Sequence, residues 1–188
     1  MLKILLSIVL IFSVAGCTVT PPNNSESTST KPIPKPDRVI TKAEKPFEPV
    51  PDFYKIKEPL QCVPYSREVS GFQIFGNAHT WWDQARGRYK DKYDTGTIPK
   101  VGAVYVLSDT SRLKYGHVSV VKRIIDRRTI EVAHTNWGGD RETRRVVYKR
   151  MPVVDVSDNN DWSKARFWNY PSKSYGSVYP ADGFIYKK

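Results

Sequence analysis

Sulfur and imidazole are scarce in this chain of 188 residues, which has two cysteines, two methionines and three histidines. No two of Cys62, His79, His117 and His134 stand at the close spacing of a zinc motif, so a metal-dependent hydrolase built on them has no motif behind it. Glycine is missing from Thr18 to Pro59, where nine of the 14 prolines fall. No internal repeat is visible. Acidic residues are the minority, 19 against 30 Lys and Arg, for a formal charge of +11. From Leu60 onward 22 basic residues face 13 acidic ones, so about nine of those charges lie in the back of the chain. Such a surface favours anionic partners: nucleic acid, acidic lipid or a carboxylate-rich polymer. Charge does not choose among them. No nucleic-acid motif accompanies it, and no nucleic acid is expected.

The N-terminus carries a short basic start, Met1-Leu2-Lys3, and an apolar run from Ile4 to Val14 of 11 residues. A membrane-spanning helix needs about 20, so the run has the length of a secretory signal instead. Val14-Ala15-Gly16-Cys17 follows, and resembles the bacterial lipobox. The resemblance implies a signal peptide over residues 1–16 and lipid on Cys17, several acyl chains together making a stable membrane anchor. It implies an exported protein facing the periplasm or the cell surface. Thr18, where an Asp would retain such a protein in an inner membrane, points to the outer one. With Cys17 taken by lipid, Cys62 has no disulfide partner in the chain, and a lone thiol outside the cytoplasm is kept for its chemistry more often than for packing.

Residues 17–59 read as a tether. Their composition cannot bury enough apolar surface to offset the entropy of ordering, and Lys31-Pro32-Ile33-Pro34-Lys35-Pro36 favours extended polyproline conformation. Phe47 to Tyr54 carries aromatics suited to packing on the domain. From residue 60 to 188 the pattern is globular and amounts to one domain, expected to be monomeric. Cys62 to Val69 predicts a short helix with Pro64 in its first turn, and Asn77 is placed to cap a second helix running through Trp81, Trp82 and Ala85 to Gly87. Strands are predicted at 103–107, 117–124, 129–135, 144–149 and 183–187, with Asp126-Arg127-Arg128 as a hairpin turn. Helices first and an antiparallel sheet afterwards define an α+β class. Trp81 and Trp82 read as core and cleft wall, and His79 as a surface residue.

Cys62 falls at the start of its helix, where free N–H groups and the dipole favour a thiolate and can stabilise an oxyanion. His117 opens a strand just after Gly116, where a side chain projects from the sheet's end. His134 and Asn136 stand two apart on the next strand and share a face, from which either can reach the His117 ring; Glu131 should face the other way. Nucleophile, base and orienter then come from three elements, as cysteine hydrolases require. A buried free cysteine at a helix start also serves as mere packing.

The pieces that carry a family resemblance are Gln61-Cys62-Val63-Pro64-Tyr65, Gly76-Asn77-Ala78 with Trp82 and Ala85, and Pro99-Lys100-Val101-Gly102-Ala103-Val104. Gly116-His117-Val118-Ser119-Val120-Val121 and His134-Thr135-Asn136-Trp137 follow in order. The stretch resembles the CHAP domains, cysteine, histidine-dependent amidohydrolases/peptidases with a papain-like fold. The resemblance implies Cys62 as nucleophile, His117 as base, no metal or organic cofactor, and peptidoglycan as substrate, cut as an amidase or as a peptide endopeptidase. Many members carry Glu where this chain has His134. Asn136 is the expected orienter and His134 its rival, while Gln61 is a candidate oxyanion donor. A non-catalytic wall-binding lipoprotein that retains the fold is the alternative.

Overall fold

Residues 104–107, Val-Tyr-Val-Leu, offer no charged position, so a strand here must have both faces covered. The computed structural model, which describes residues 47–188, shows how. Its elements in chain order are β1 (Asp52–Lys55), α1 (Cys62–Ser70), a 3₁₀ turn (Ala78–Thr80), α2 (Trp81–Arg86), β2 (Tyr93–Gly96), β3 (Val104–Leu107), β4 (His117–Ile124), β5 (Thr129–Thr135), α3 (Arg141–Arg144), β6 (Val146–Asp155), β7 (Lys164–Asn169) and β8 (Ser174–Lys187). Every pairing is antiparallel. Strands β3, β4, β5, β6, β7 and β8 pair in succession and β8 returns to β3, closing a barrel. Strand β1 is added beside β6, and β2 beside β8. Closure pairs each ring strand on both sides, and the open edges pass to β1 and β2, strands of four residues each.

The alternation along β3 assigns its two faces. Ala103, Tyr105 and Leu107 join Val121, Ile130, Val132, Met151, Val153, Phe167 and Phe184 in a core drawn from all the barrel strands, which is the barrel interior. Val104 and Val106 join Val118, Val120 and Ile185 in a second core with Cys62, Phe72, Ile74, Trp81 and Ala85. That outer layer seats α1 and α2 against the barrel wall. Trp81 is fully buried there, and Trp82 packs beside it.

Several expectations change in detail. The sheet begins at Asp52, inside the segment read as tether, because β1 pairs with β6 and Phe53 packs on Tyr148 and Tyr170. Helices therefore do not all precede strands, and the helices are short. The second helix is a 3₁₀ turn running into α2, and the Asn77 side chain makes no capping hydrogen bond; its carbonyl accepts from Thr80 instead. Glu131 does point away from the barrel interior, 3.7 Å from Arg123. The run read as a signal segment, Cys17 and the first part of the segment read as tether lie outside the described residues.

Candidate active site

Cys62 is the first residue of α1, with Gln61 at the cap position in extended conformation. The helix packs on β4 and β5 and ends at Gly71, whose φ of +70° suits glycine and whose N–H closes on Arg67 O. On the opposite wall, Gly116 sets up His117. Its φ is +65°, and an added Cβ would lie 2.6 Å from Leu107 O and 2.7 Å from His79 N. Only a residue without a side chain lets the loop pass this close beneath the 3₁₀ turn, where His79 N–H donates to Tyr115 O at 3.1 Å. His79 itself is half-buried, its Nδ1 3.6 Å from Asp109 Oδ1, and forms no part of the His117 cluster.

His117 Nε2 and His134 Nδ1 are 2.9 Å apart, a buried hydrogen bond between the starts and ends of adjacent strands. On its far side His134 Nε2 stands 3.1 Å from Met151 Sδ. His117 is 2 % exposed and His134 fully buried. Trp137 lies over both rings, at 4.8 Å from His117 and 5.5 Å from His134 between centroids. Tyr148 and Phe167 flank His134 at 5.2 and 5.4 Å.

Asn136 does not take the place expected for it. Strand β5 ends at Thr135, and Asn136 has a φ of +57°, the left-handed conformation Asn tolerates better than most residues. The turn ends the alternation, so Asn136 and His134 do not share a strand face. Asn136 Nδ2 donates instead to Gln61 Oε1 at 2.7 Å, linking the β5 end to the α1 start. The same turn carries Trp137 onto the histidine rings.

Cys62 and His117 both line a cleft of about 1030 Å³. Its walls include Gln61, Asn136, Trp137 and Tyr179; they also include Arg112, Lys114 and Arg144 and, among the described residues, no carboxylate side chain. Burial pushes the Cys62 thiol above its ordinary value, although the backbone N–H groups of Val118, Val63 and Cys62 favour the thiolate. The expected lowering by the helix terminus is thus outweighed: a thiol 8 % exposed loses more to desolvation than three N–H groups return. Burial likewise pushes His117 down to about 3, and holds His134 well below the imidazole range with His117 adding to it. All three shifts favour the uncharged forms.

Sequence reading missed Met151 and gave Trp137 no role. Trp137 adjoins the His134-Thr135-Asn136 run, and its place there was the available signal. Met151 has no local signal, since its contact follows from the pairing of β5 with β6, where Val132 faces Met151.

Cys62 from α1 and His117 from β4 thus line one cleft, with His134 bonded behind His117. Residues 53–136 match the CHAP domain model, a span that holds Cys62, His117, His134 and Asn136. No curated protein sequence matches the chain. Among solved structures, the chain is similar to an N-acetylmuramoyl-L-alanine amidase from Staphylococcus aureus, with 22% identity and a TM-score of 0.34, over 48% of this chain and 30% of that one. It is also similar to Ly7917, with 17% identity and a TM-score of 0.30, over 67% of this chain and 70% of that one.

Proposed function

We propose that this chain is a cysteine-dependent amide hydrolase acting on peptidoglycan, with Cys62 as nucleophile, His117 as base and His134 as the residue that orients it. The observation that carries the reading is the 2.9 Å bond from His117 Nε2 to His134 Nδ1, which leaves His117 Nδ1 for the thiol on a cleft the two residues share. The CHAP match over this span supports the same chemistry.

In the reaction Cys62 Sγ attacks the amide carbonyl carbon as its proton passes to His117 Nδ1. The imidazolium returns that proton to the leaving amine, the C–N bond breaks, and a thioester remains on Cys62. Water then attacks the thioester and gives a proton to His117, which passes it to the departing sulfur; a carboxylic acid and the free thiol result. The oxyanion of each tetrahedral intermediate sits by the Cys62 N–H. The Asn136 bond occupies Gln61 Oε1, so the Gln61 Nε2 donors are left to the same oxyanion. Asn136 in this reading braces Gln61 rather than His117.

The cationic, aromatic cleft fits an anionic wall peptide, with Arg112, Lys114 and Arg144 near its carboxylates. The bond cut is muramoyl–alanine or one within the peptide. The reading includes export, lipid on Cys17 and a tether that holds the domain off a membrane. Mass spectrometry of purified peptidoglycan, incubated with the protein and with Cys62→Ser, tests it. New amine and carboxyl ends at one bond, absent with the variant, are expected. Retention on the wall with no bond cut would instead support the wall-binding alternative.

A further inference from the structure

The two rings at the base of the cleft are linked without any carboxylate, so something else must decide which nitrogens carry their protons. A neutral imidazole has one N–H and one lone pair, and four arrangements of two such rings exist. His117 can act as a base toward a protonated thiol only if its Nδ1 holds the lone pair. The proton must then be on Nε2, which donates to His134 Nδ1 across 2.9 Å. His134 Nδ1 must therefore be unprotonated, and its own proton must sit on Nε2. That nitrogen faces Met151 Sδ at 3.1 Å. A thioether sulfur has lone pairs and no proton, so it accepts and never donates. The opposite arrangement would set a nitrogen lone pair against the sulfur lone pairs at this distance and would protonate His117 on Nδ1, where it is useless as a base.

We propose that Met151 is a positioning residue: its sulfur accepts from His134 Nε2–H and so fixes both rings in the tautomers that leave His117 Nδ1 free to take the thiol proton. The proposal rests on the catalytic reading of Cys62 and His117. Its surroundings favour it. Met151 is 1 % exposed on β6 among Tyr105, Val132, Val153 and Phe167, a shell that a leucine would fill equally well by volume. Apart from Met1 it is the chain's one methionine. Trp137 packs against both rings, and His134 is fully buried, so its Nε2 does not face bulk water.

The test is ¹⁵N NMR of the histidine ring nitrogens in the full-length protein at neutral pH, together with turnover on a wall preparation. In the wild type both His117 and His134 should be protonated on Nε2. Met151→Leu should leave His134 a mixture of tautomers and lower kcat about five- to tenfold with KM unchanged, the scale of one hydrogen bond. Met151→Gln, whose side-chain oxygen can accept, should recover most of that loss. Finding His134 protonated on Nδ1 in the wild type would overturn the proposal with no variant needed. Unchanged ring tautomers in a folded Met151→Leu would overturn it as well, as would unchanged kcat. An inactive wild type would count against the hydrolase reading, while the ring tautomers would still decide the role of Met151.

Discussion

Acid should destabilise this domain through His117 specifically. The native ring is pushed down to about 3, against 6.5 for an ordinary imidazole. Above 6.5 native and unfolded rings are both neutral, and the full stability is present. As pH falls below that value the unfolded ring takes a proton that the native ring refuses, so stability falls across the window from 6.5 to about 3. Below it both rings are protonated and this contribution stops changing. Each pH unit inside the window costs about 1.4 kcal/mol, so about pH 4.5 corresponds to a loss of roughly 3 kcal/mol from this one ring. His134 is shifted in the same direction and adds to the loss. Against a typical stability of about 5–15 kcal/mol this is a large fraction. It corresponds to a Tm lower by roughly 6–12 °C for a protein of this size. The assay is thermal melting by circular dichroism between about pH 7 and about pH 4.5, on the wild type and on His117→Gln/His134→Gln. Carboxylates titrate in both proteins, so the difference between the two curves isolates the rings. Parallel Tm losses in the two would refute the argument.

Turnover should separate the two candidate orienters: His134→Ala should lose about 10–100-fold, and Asn136→Ala less unless Gln61 is a strong oxyanion donor, measured as kcat on one wall preparation with melts confirming the fold. Iodoacetamide should alkylate Cys62 more slowly than a free thiol at neutral pH, because burial raises it; faster modification, followed by mass spectrometry, would contradict the neutral ground state. Gly116→Ala should destabilise more than Gly102→Ala in denaturant melts. Both positions have positive φ, but an added Cβ meets Leu107 O at 2.6 Å only at Gly116, and nothing within 4 Å at Gly102. Labelling with a palmitate analogue should mark the wild type and not Cys17→Ala, equal labelling of both counting against the lipid anchor.

The central elements were legible in the sequence because their signals are local. Val104–Leu107, His117–Ile124 and Thr129–Thr135 coincide closely with the runs of β-branched residues, and α1 starts at Cys62 with a proline in its first turn. The barrel was not legible. Strand β7 interrupts its apolar positions with Lys164 and Arg166, and β8, predicted only from 183 on, begins with a stretch holding Gly176 and Pro180, both signals of loop. Their pairing is enforced by closure, a property of the whole ring. The same limit applies at the site. The places of Cys62 at a helix start and His117 at a strand start follow from local pattern, whereas the partner of His117 depends on Asn136 leaving the strand at a φ of +57°. The thiol argument failed for a similar reason: the helix terminus is visible in sequence, but the packing that desolvates Cys62 against Val118 and its neighbours is not.

A histidine rather than a carboxylate behind His117 changes what the site can be at rest. A carboxylate beside the base would stabilise its imidazolium and, with it, a thiolate–imidazolium ion pair. Here the partner is a second neutral ring backed by a thioether, and the surroundings are aromatic. Among the described residues no carboxylate lines the cleft to hold a proton on His117, and burial favours the protonated thiol. Such a thiol is a weak nucleophile until a substrate carbonyl is in place and the oxyanion donors can take up the developing charge. In the proposed reaction, bound substrate then supplies the driving force for proton transfer. A protonated, buried thiol is also a poor target for oxidants, which attack the thiolate. That protection and the dependence on substrate have one cause: among the described residues, no carboxylate stands behind His117.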